Sequence, residues 1–306
     1  MPLTLQRFTF RAMAAENEIQ IHAEARSADA AARAAVEEVK RIEAKYSRYR
    51  HDSLLSRINA RAGAGPTDID EETQQLLAFA DACYRQSGGC FDATSGVLRR
   101  VWRFNEGPAG IPTDEALAAV LPLIGWERVV LGDGTVRLPL RGMELDFGGF
   151  GKEYAVDRAA LRLRDCGVES GMVNLAGDLA ILAPQPGGVP WRVGIRHPRN
   201  PDAIIASLPI YSGAIATSGD YERFIEADGA RHCHVLDPRT GRSARGFQSV
   251  TVHASSCVLA GSASTIAMLK GATEGRAWLE SLGLPYLCVL EDGEIVNAMG
   301  EKVGAI

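Results

Sequence analysis

Polar and apolar residues alternate from Arg7 to Ala12 and again from Glu18 to Ala23, the period of half-buried strands. The period then changes. Val36, Val39, Ile42 and Tyr46 recur at helical spacing and predict a helix from Ala28 to Tyr46, with Ser27 or Asp29 able to cap it. A second helix is expected from Glu71 to Gln86, started by Asp70 and stopped by Gly88-Gly89, with Leu76, Leu77, Ala80, Cys83 and Tyr84 toward the core. A short third helix follows from Asp114 to Leu121, then a hairpin from Glu127 to Leu140 turning at Gly132-Asp133-Gly134.

Beyond Leu145 the pattern predicts a helix from Tyr154 to Arg164, one strand from Gly171 to Leu182, and another from Trp191 to Arg196. The stretch from Tyr221 to Ile225 reads as a strand, with a turn at Asp228-Gly229 and a return strand on which His232 and His234 share a face. A strand from Gln248 to His253, helices from Leu259 to Leu269 and Glu274 to Leu282, and a hairpin turning at Asp292-Gly293 complete the chain. Hairpins mixed with helices indicate an α+β fold. Pro184 to Pro190 is the best loop, but it joins two strands, so residues 1–306 are expected to form one interwoven unit.

Composition narrows the function classes. A chain of 306 residues, 46% hydrophobic and 23% charged, is of ordinary globular type, and a net charge of -5 lacks the basic excess of a nucleic-acid binder. Six cysteines without a C-x-x-C pair indicate neither a zinc ribbon nor a disulfide framework. The start, MPLTLQRFTFRAM, holds no signal-peptide-like apolar run, and no stretch of about 18 apolar residues appears, so the chain as given reads as cytoplasmic without a membrane segment.

Candidate chemistry is densest from Ala216 to Arg242. Thr217, Ser218, Gly219 and Asp220 bring two hydroxyls, an open backbone and a carboxylate, and Asp237 opens the polar turn Asp237-Pro238-Arg239-Thr240-Gly241. His232, His234 and Asp237 can be read as a metal site, or His234 as a hydrogen-bonding group or base. A hydrolase triad has no G-x-S-x-G elbow to support it. Gly148, Gly149 and Gly151 precede a helix, which suits either an anion cradle or a tight turn; Asp146 and Glu153 exclude a Walker A loop. Tyr46 fits the core by its spacing, whereas Tyr49 does not and is the better stacking surface for a flat ligand.

In their order, these segments resemble the ApbE family of FAD:protein FMN transferases, from about Tyr46 to Gly271. The segments are SRYRHDSLLSRIN, FDATSGVLRRVWRF, LDFGGFGKEYAVDRAA, VNLAGDLAIL, and the TSGDYERF and HVLDPRTG pair. The resemblance implies T-fold-like halves with mixed or antiparallel sheets and packed helices, and FAD bound as a substrate. It implies Tyr49 stacking on the isoalloxazine, and Ser56, Asn59, Asp92, Thr94, Gly96, Gly149, Lys152, Asp178, Thr217, Ser218, Gly219, Asp220 and Asp237 around the dinucleotide. The implied reaction is attack by a Thr or Ser hydroxyl of a target protein on the FMN-side phosphorus, releasing AMP, with His234 accepting the proton.

One departure bears on the metal. The family's magnesium is held by an aspartate and a threonine of one helix and a backbone carbonyl; here Thr265 and the carbonyl of Gly151 remain, but Gly261 stands in the aspartate's place. Asp178, Asp220 and Asp237 are the carboxylates available to replace it. Gly151-Lys152-Glu153 likewise replaces a more usual Ala-Lys-Gly. The alternative function is an FAD-binding or flavin-delivery protein without the transfer step.

Overall fold

The computed structural model describes residues 3–299. The chain opens with a hairpin of β1 (Thr4–Ala12) and β2 (Ala15–Ala23), then runs through α1 (Ala25–Tyr46), α2 (Leu54–Ala60), β3 (Thr67–Asp68), α3 (Glu71–Ser87) and α4 (Asp114–Val120). A small hairpin of β4 (Val130–Gly132) and β5 (Thr135–Arg137) precedes α5 (Gly151–Asp165). Next come β6 (Ser170–Leu175), β7 (Asp178–Ala183), β8 (Trp191–Arg196), β9 (Ile204–Ile210) and β10 (Gly213–Gly219). The hairpin of β11 (Phe224–Ala227) and β12 (Ala230–Cys233), then β13 (Phe247–Ala254), α6 (Cys257–Leu282), β14 (Tyr286–Leu290) and β15 (Ile295–Asn297) finish it.

Eight strands form one sheet in the order β1-β2-β6-β7-β10-β13-β14-β15, with every neighbouring pair antiparallel. Two four-stranded halves meet at β7 and β10, where Ala214 lies opposite Ala180. Strand alternation sends Val173, Ala180, Ala214, Val250 and Val252 into a core shared with α1, α5 and α6. Their neighbours Met172, Leu179, Ile181, Ile215 and Leu287 face the opposite way and pack under the β8–β9 hairpin. The middle of the sheet is therefore dry on both faces, which explains why its strands are apolar almost throughout. A third cluster, including Leu98, Trp102, Leu117 and Ile225, ties the β11–β12 hairpin to α4.

Several expectations need correction. The single strand from Gly171 to Leu182 is the β6–β7 hairpin: Ala176 and Gly177 both take positive φ (51° and 96°), and Asn174 Oδ1 accepts the Gly177 amide at 2.8 Å. Ala-Gly carries no usual turn signal, and the closing group sits two residues upstream. The polar stretch after Tyr49 contains α2, begun by Ser53, whose hydroxyl accepts the Ser56 amide at 3.0 Å. No strand was expected at β9, where Pro209 interrupts the run; it pairs with β8 alone. The chain leaves the sheet after Gly219, so the expected strand from Tyr221 shortens to β11. The two C-terminal helices are joined in α6, with Gly271 non-helical at the junction.

The register of α5 against α6 positions the site. Ser256 makes no side-chain cap to α6; instead Asp157, from α5, accepts the amides of Cys257 at 2.7 Å and Val258 at 2.9 Å. One helical turn earlier on α5, Glu153 lies against Gly261, one turn further along α6. The helices thus run antiparallel, and the next step of the same register carries the start of α5 toward Thr265. Replacing Asp157→Ala leaves these two amides unpaired, and a loss of about 1–3 kcal/mol of stability is expected in urea unfolding. An unchanged unfolding midpoint would show that this cap does not hold the register.

Candidate functional site

The segment before α5 is held from behind. Asn59 clamps Leu145 twice, donating to its carbonyl at 2.9 Å and accepting its amide at 2.7 Å, and Asp146 donates its amide to the Ala93 carbonyl at 2.8 Å. Arg48 pairs with the Asp146 carboxylate, which also accepts the Gly148 amide at 2.8 Å. Gly149 has no space for a side chain: a Cβ there would lie 2.9 Å from the Phe91 ring. Gly96 backs against Asp146 in the same way, at 2.8 Å. Phe147 and Phe150 anchor the turn in the core beside Tyr46 and Phe91. No side chain caps α5, although the Gly151 amide bonds the Phe147 carbonyl at 2.6 Å, so its start keeps the partial positive charge of a helix N-terminus.

Asp92 and Thr94 brace the loops next to this turn. Both are buried; Asp92 accepts the Thr94 amide and hydroxyl at 2.7 and 2.6 Å and the Trp126 amide at 3.0 Å, while Thr94 accepts the Gly125 amide at 2.8 Å. Burial nonetheless pushes the Asp92 carboxyl above its ordinary range.

Positive charge gathers in front of the α5 turn. Lys152 pairs with the buried Asp178 at 2.5 Å; burial opposes its charge, but the Asp178 carboxylate outweighs that and holds the amine protonated. Tyr49 is 75% exposed, with the Arg48 guanidinium 5.0 Å from its ring centre and bonded to its hydroxyl at 2.9 Å. Burial works to raise the Tyr49 phenol, but Arg48 and Arg223 together lower it, which brings Arg223 to the same place. His234 closes the group. Its amide bonds the Arg223 carbonyl at 3.0 Å and its buried Nδ1 has no partner. Burial, then the charges of Arg223, Lys152 and Arg48, push its imidazole down to about 4, so it is neutral near pH 7.

A layer of oxygens lies beside these charges. Ser218 shares hydrogen bonds of 2.8 Å with both Ser264 and Thr265, Thr217 bonds Thr251 at 2.9 Å, and the Thr217 amide reaches Asp178 at 3.3 Å. Tyr221 presses against Gly219, where an added Cβ would meet its ring at 2.4 Å. Glu153 is buried, and its Oε2 has no hydrogen-bond partner. Gly151 precedes Glu153 by two residues on α5, and Thr265 follows Gly261 by one turn of α6. Burial, and then the neighbouring Asp178 carboxylate, raise Glu153 above the usual range.

Other expected residues lie outside this cluster. Asp220 is engaged by Arg199 at 2.6 and 2.7 Å, and Asp237 by the Arg239 side chain at 2.9 Å and the Arg239 amide. Neither carboxylate is free to replace one at position 261. Ser56 contributes its amide to the Ser53 cap. His232 lies 6.1 Å from the Trp102 ring, apart from His234, and among the described residues no three His, Cys, Asp or Glu side chains converge for a metal. Arg48, Glu153, Arg223 and Ser264 join the site without having been singled out as site residues. Glu153 had a visible signal, since it and Gly261 depart from the family pattern together.

A wide surface cleft of about 470 Å³, lined by Arg41, Lys45, Asp52, Arg57, Asp68 and Asp70, holds none of these groups. Lys45 there is paired with Asp70 and Glu72, and Arg41 with Glu38 and Glu72. The candidate residues gather instead at the α5 turn.

Comparison with known proteins agrees with the architecture. Residues 13–288 match the profile of the ApbE family. An FAD:protein FMN transferase of Vibrio cholerae is 32% identical over 258 residues, covering 83% of this chain and 77% of the relative. One of Treponema pallidum is 31% identical over 291 residues, covering 87% and 80%. Among solved structures, the ApbE protein of Thermotoga maritima superposes with a TM-score of 0.88 at 32% identity, covering 96% of this chain and 97% of that one. The flavinyl transferase ApbE of Pseudomonas stutzeri gives 0.88 at 26% identity, covering 99% of each.

The state of His234 sets a pH dependence of stability. Its folded pKa of about 4 lies below the ordinary 6.5, so its contribution is fully present above pH 6.5 and is lost as the pH falls toward 4. Urea midpoints of the native protein and His234→Asn, compared between pH 7 and pH 4, are expected to converge or cross as the pH drops. A constant difference between them across that range would exclude a neutral, desolvated imidazole.

Proposed function

The chain belongs to the ApbE family, and on that premise we propose its chemistry: it is an FAD:protein FMN transferase. It takes FAD as a substrate and passes FMN to a protein hydroxyl, releasing AMP. The observation that carries the site assignment is the convergence of Lys152, Arg48, Arg223 and a neutral His234 on the uncapped start of α5, beside the exposed ring of Tyr49. The silent FAD-binding alternative raised by Gly261 is not favoured, because the relatives named above are transferases.

The roles follow from charge and access. The outward face of Tyr49 stacks the flat isoalloxazine. The α5 amides and Lys152 take the pyrophosphate, where developing negative charge meets fixed donors in a partly dry site. A bound magnesium ion would further neutralise the pyrophosphate oxygens. His234, uncharged, accepts the proton of the incoming Thr or Ser hydroxyl. The three cations that depress its basicity are the groups the pyrophosphate pairs with, so substrate binding raises the imidazole toward the working pH. Thr217, Ser218 and Asp178 hold Lys152 and the sheet end in place.

The acceptor is a flavoprotein segment of the D-G-x-[ST]-G-A-[ST] type. No helix among the described residues is long and apolar enough to cross a membrane. Incubation with FAD, magnesium and such a peptide is expected to add one FMN to the peptide by intact mass. His234→Gln is expected to slow that transfer by roughly 10²–10⁴-fold with FAD affinity retained. Transfer at the native rate by the His234 variant would remove the base from this residue, and no transfer to any acceptor would sink the assignment.

A further inference from the structure

We infer that Glu153 supplies a divalent cation with the carboxylate that position 261 lacks, so that two departures from the family pattern are one exchange in space. The inference rests on the transferase reading for the nearby pyrophosphate. Its geometry is independent of that reading.

The first observation is volume. A Cβ built on Gly261 would lie 2.5 Å from Cγ of Glu153 and 2.9 Å from its Cδ and Oε1. The carboxyl of Glu153 therefore occupies the space that a side chain at 261 would fill, reaching it from α5 instead of α6. Gly261 permits this by leaving its own side-chain space on α6 empty. The second observation is the unpaired oxygen. Glu153 is 9% exposed, and Oε2 has no donor within reach although Lys152 adjoins it in sequence. Lys152 is taken by Asp178 at 2.5 Å.

The surroundings suit a hard cation. Thr265, one turn along α6 from Gly261, bonds Ser218 through its Oγ1 at 2.8 Å, and Ser218 also bonds Ser264 at 2.8 Å, so hydroxyl oxygens line this stretch of α6. Magnesium and manganese take six oxygens and use carboxylates together with substrate phosphates, so pyrophosphate oxygens and water complete the shell. On binding, Glu153 carries its negative charge and any proton it held leaves to solvent. The rival account is a neutral carboxyl that merely fills the gap. The two separate cleanly, because a filler tolerates glutamine and a ligand does not.

The test titrates Mn²⁺ into the FAD-loaded protein at neutral pH, following loss of the free-ion electron paramagnetic resonance signal. Flavin fluorescence reports FAD affinity and thermal melting reports folding. Glu153→Gln is expected to weaken Mn²⁺ binding by about tenfold or more while FAD still binds. Gly261→Asp alone gains nothing and melts lower, because its side chain collides with Glu153. The double exchange Glu153→Gly with Gly261→Asp restores Mn²⁺ binding, since each helix then carries what the other gave up. Native Mn²⁺ affinity in Glu153→Gln overturns the inference, as does the absence of Mn²⁺ binding by the native protein. Mn²⁺ binding that follows the expected pattern without FMN transfer to any acceptor peptide would overturn the transferase reading and leave the cation site standing.

Discussion

The structure depends on how closely α5 and α6 approach while burying charge between them. Asp157 caps α6 from the side, and one turn away Gly261 gives up its side chain to the carboxyl of Glu153. Both carboxyls are raised by burial, so each needs a partner the other cannot be. Two backbone amides satisfy Asp157. Glu153 has the Asp178 carboxyl beside it and shares Lys152 with that residue. Its Oε2 is left without a hydrogen-bond partner.

The sheet makes that approach possible. Asp178 begins β7 and Thr217 and Ser218 close β10, so the junction of the two halves delivers these three residues to one end of the sheet. There α5 begins and α6 passes. Helices on one face and the β8–β9 hairpin on the other leave the strands no freedom to slip, because a one-residue shift would turn Leu179 and Ile181 away from their core. The site is rigid where the pyrophosphate would sit and open where Tyr49 faces solvent. That division suits an enzyme that holds one substrate firmly and must admit a protein as the other.

Electrostatics complete the logic. Arg48 is anchored by Asp146 and Lys152 by Asp178, while Arg223 comes from the loop before β11. Burial, and then their combined field, keep His234 uncharged. The proposed base and the proposed anion site are thus coupled through the same three cations. Asp220 and Asp237, which the sequence made as plausible as Asp178, are paired with arginines of their own.

Much was legible in one dimension. Periods of two and 3.6 residues located β1, β2, α1 and α3, because each buries one face against the core and its pattern is local. Ordered motifs named the family. Where the closing interaction was a side chain, as at Asn174 in the β6–β7 turn or Ser53 before α2, the pattern misled or fell silent. The residues alone fixed the chemistry on offer, including the loss of a carboxylate at Gly261. Only the tertiary structure decided where a carboxylate now stands, because Glu153 and Gly261 are distant along the chain and meet solely through the antiparallel register of two helices.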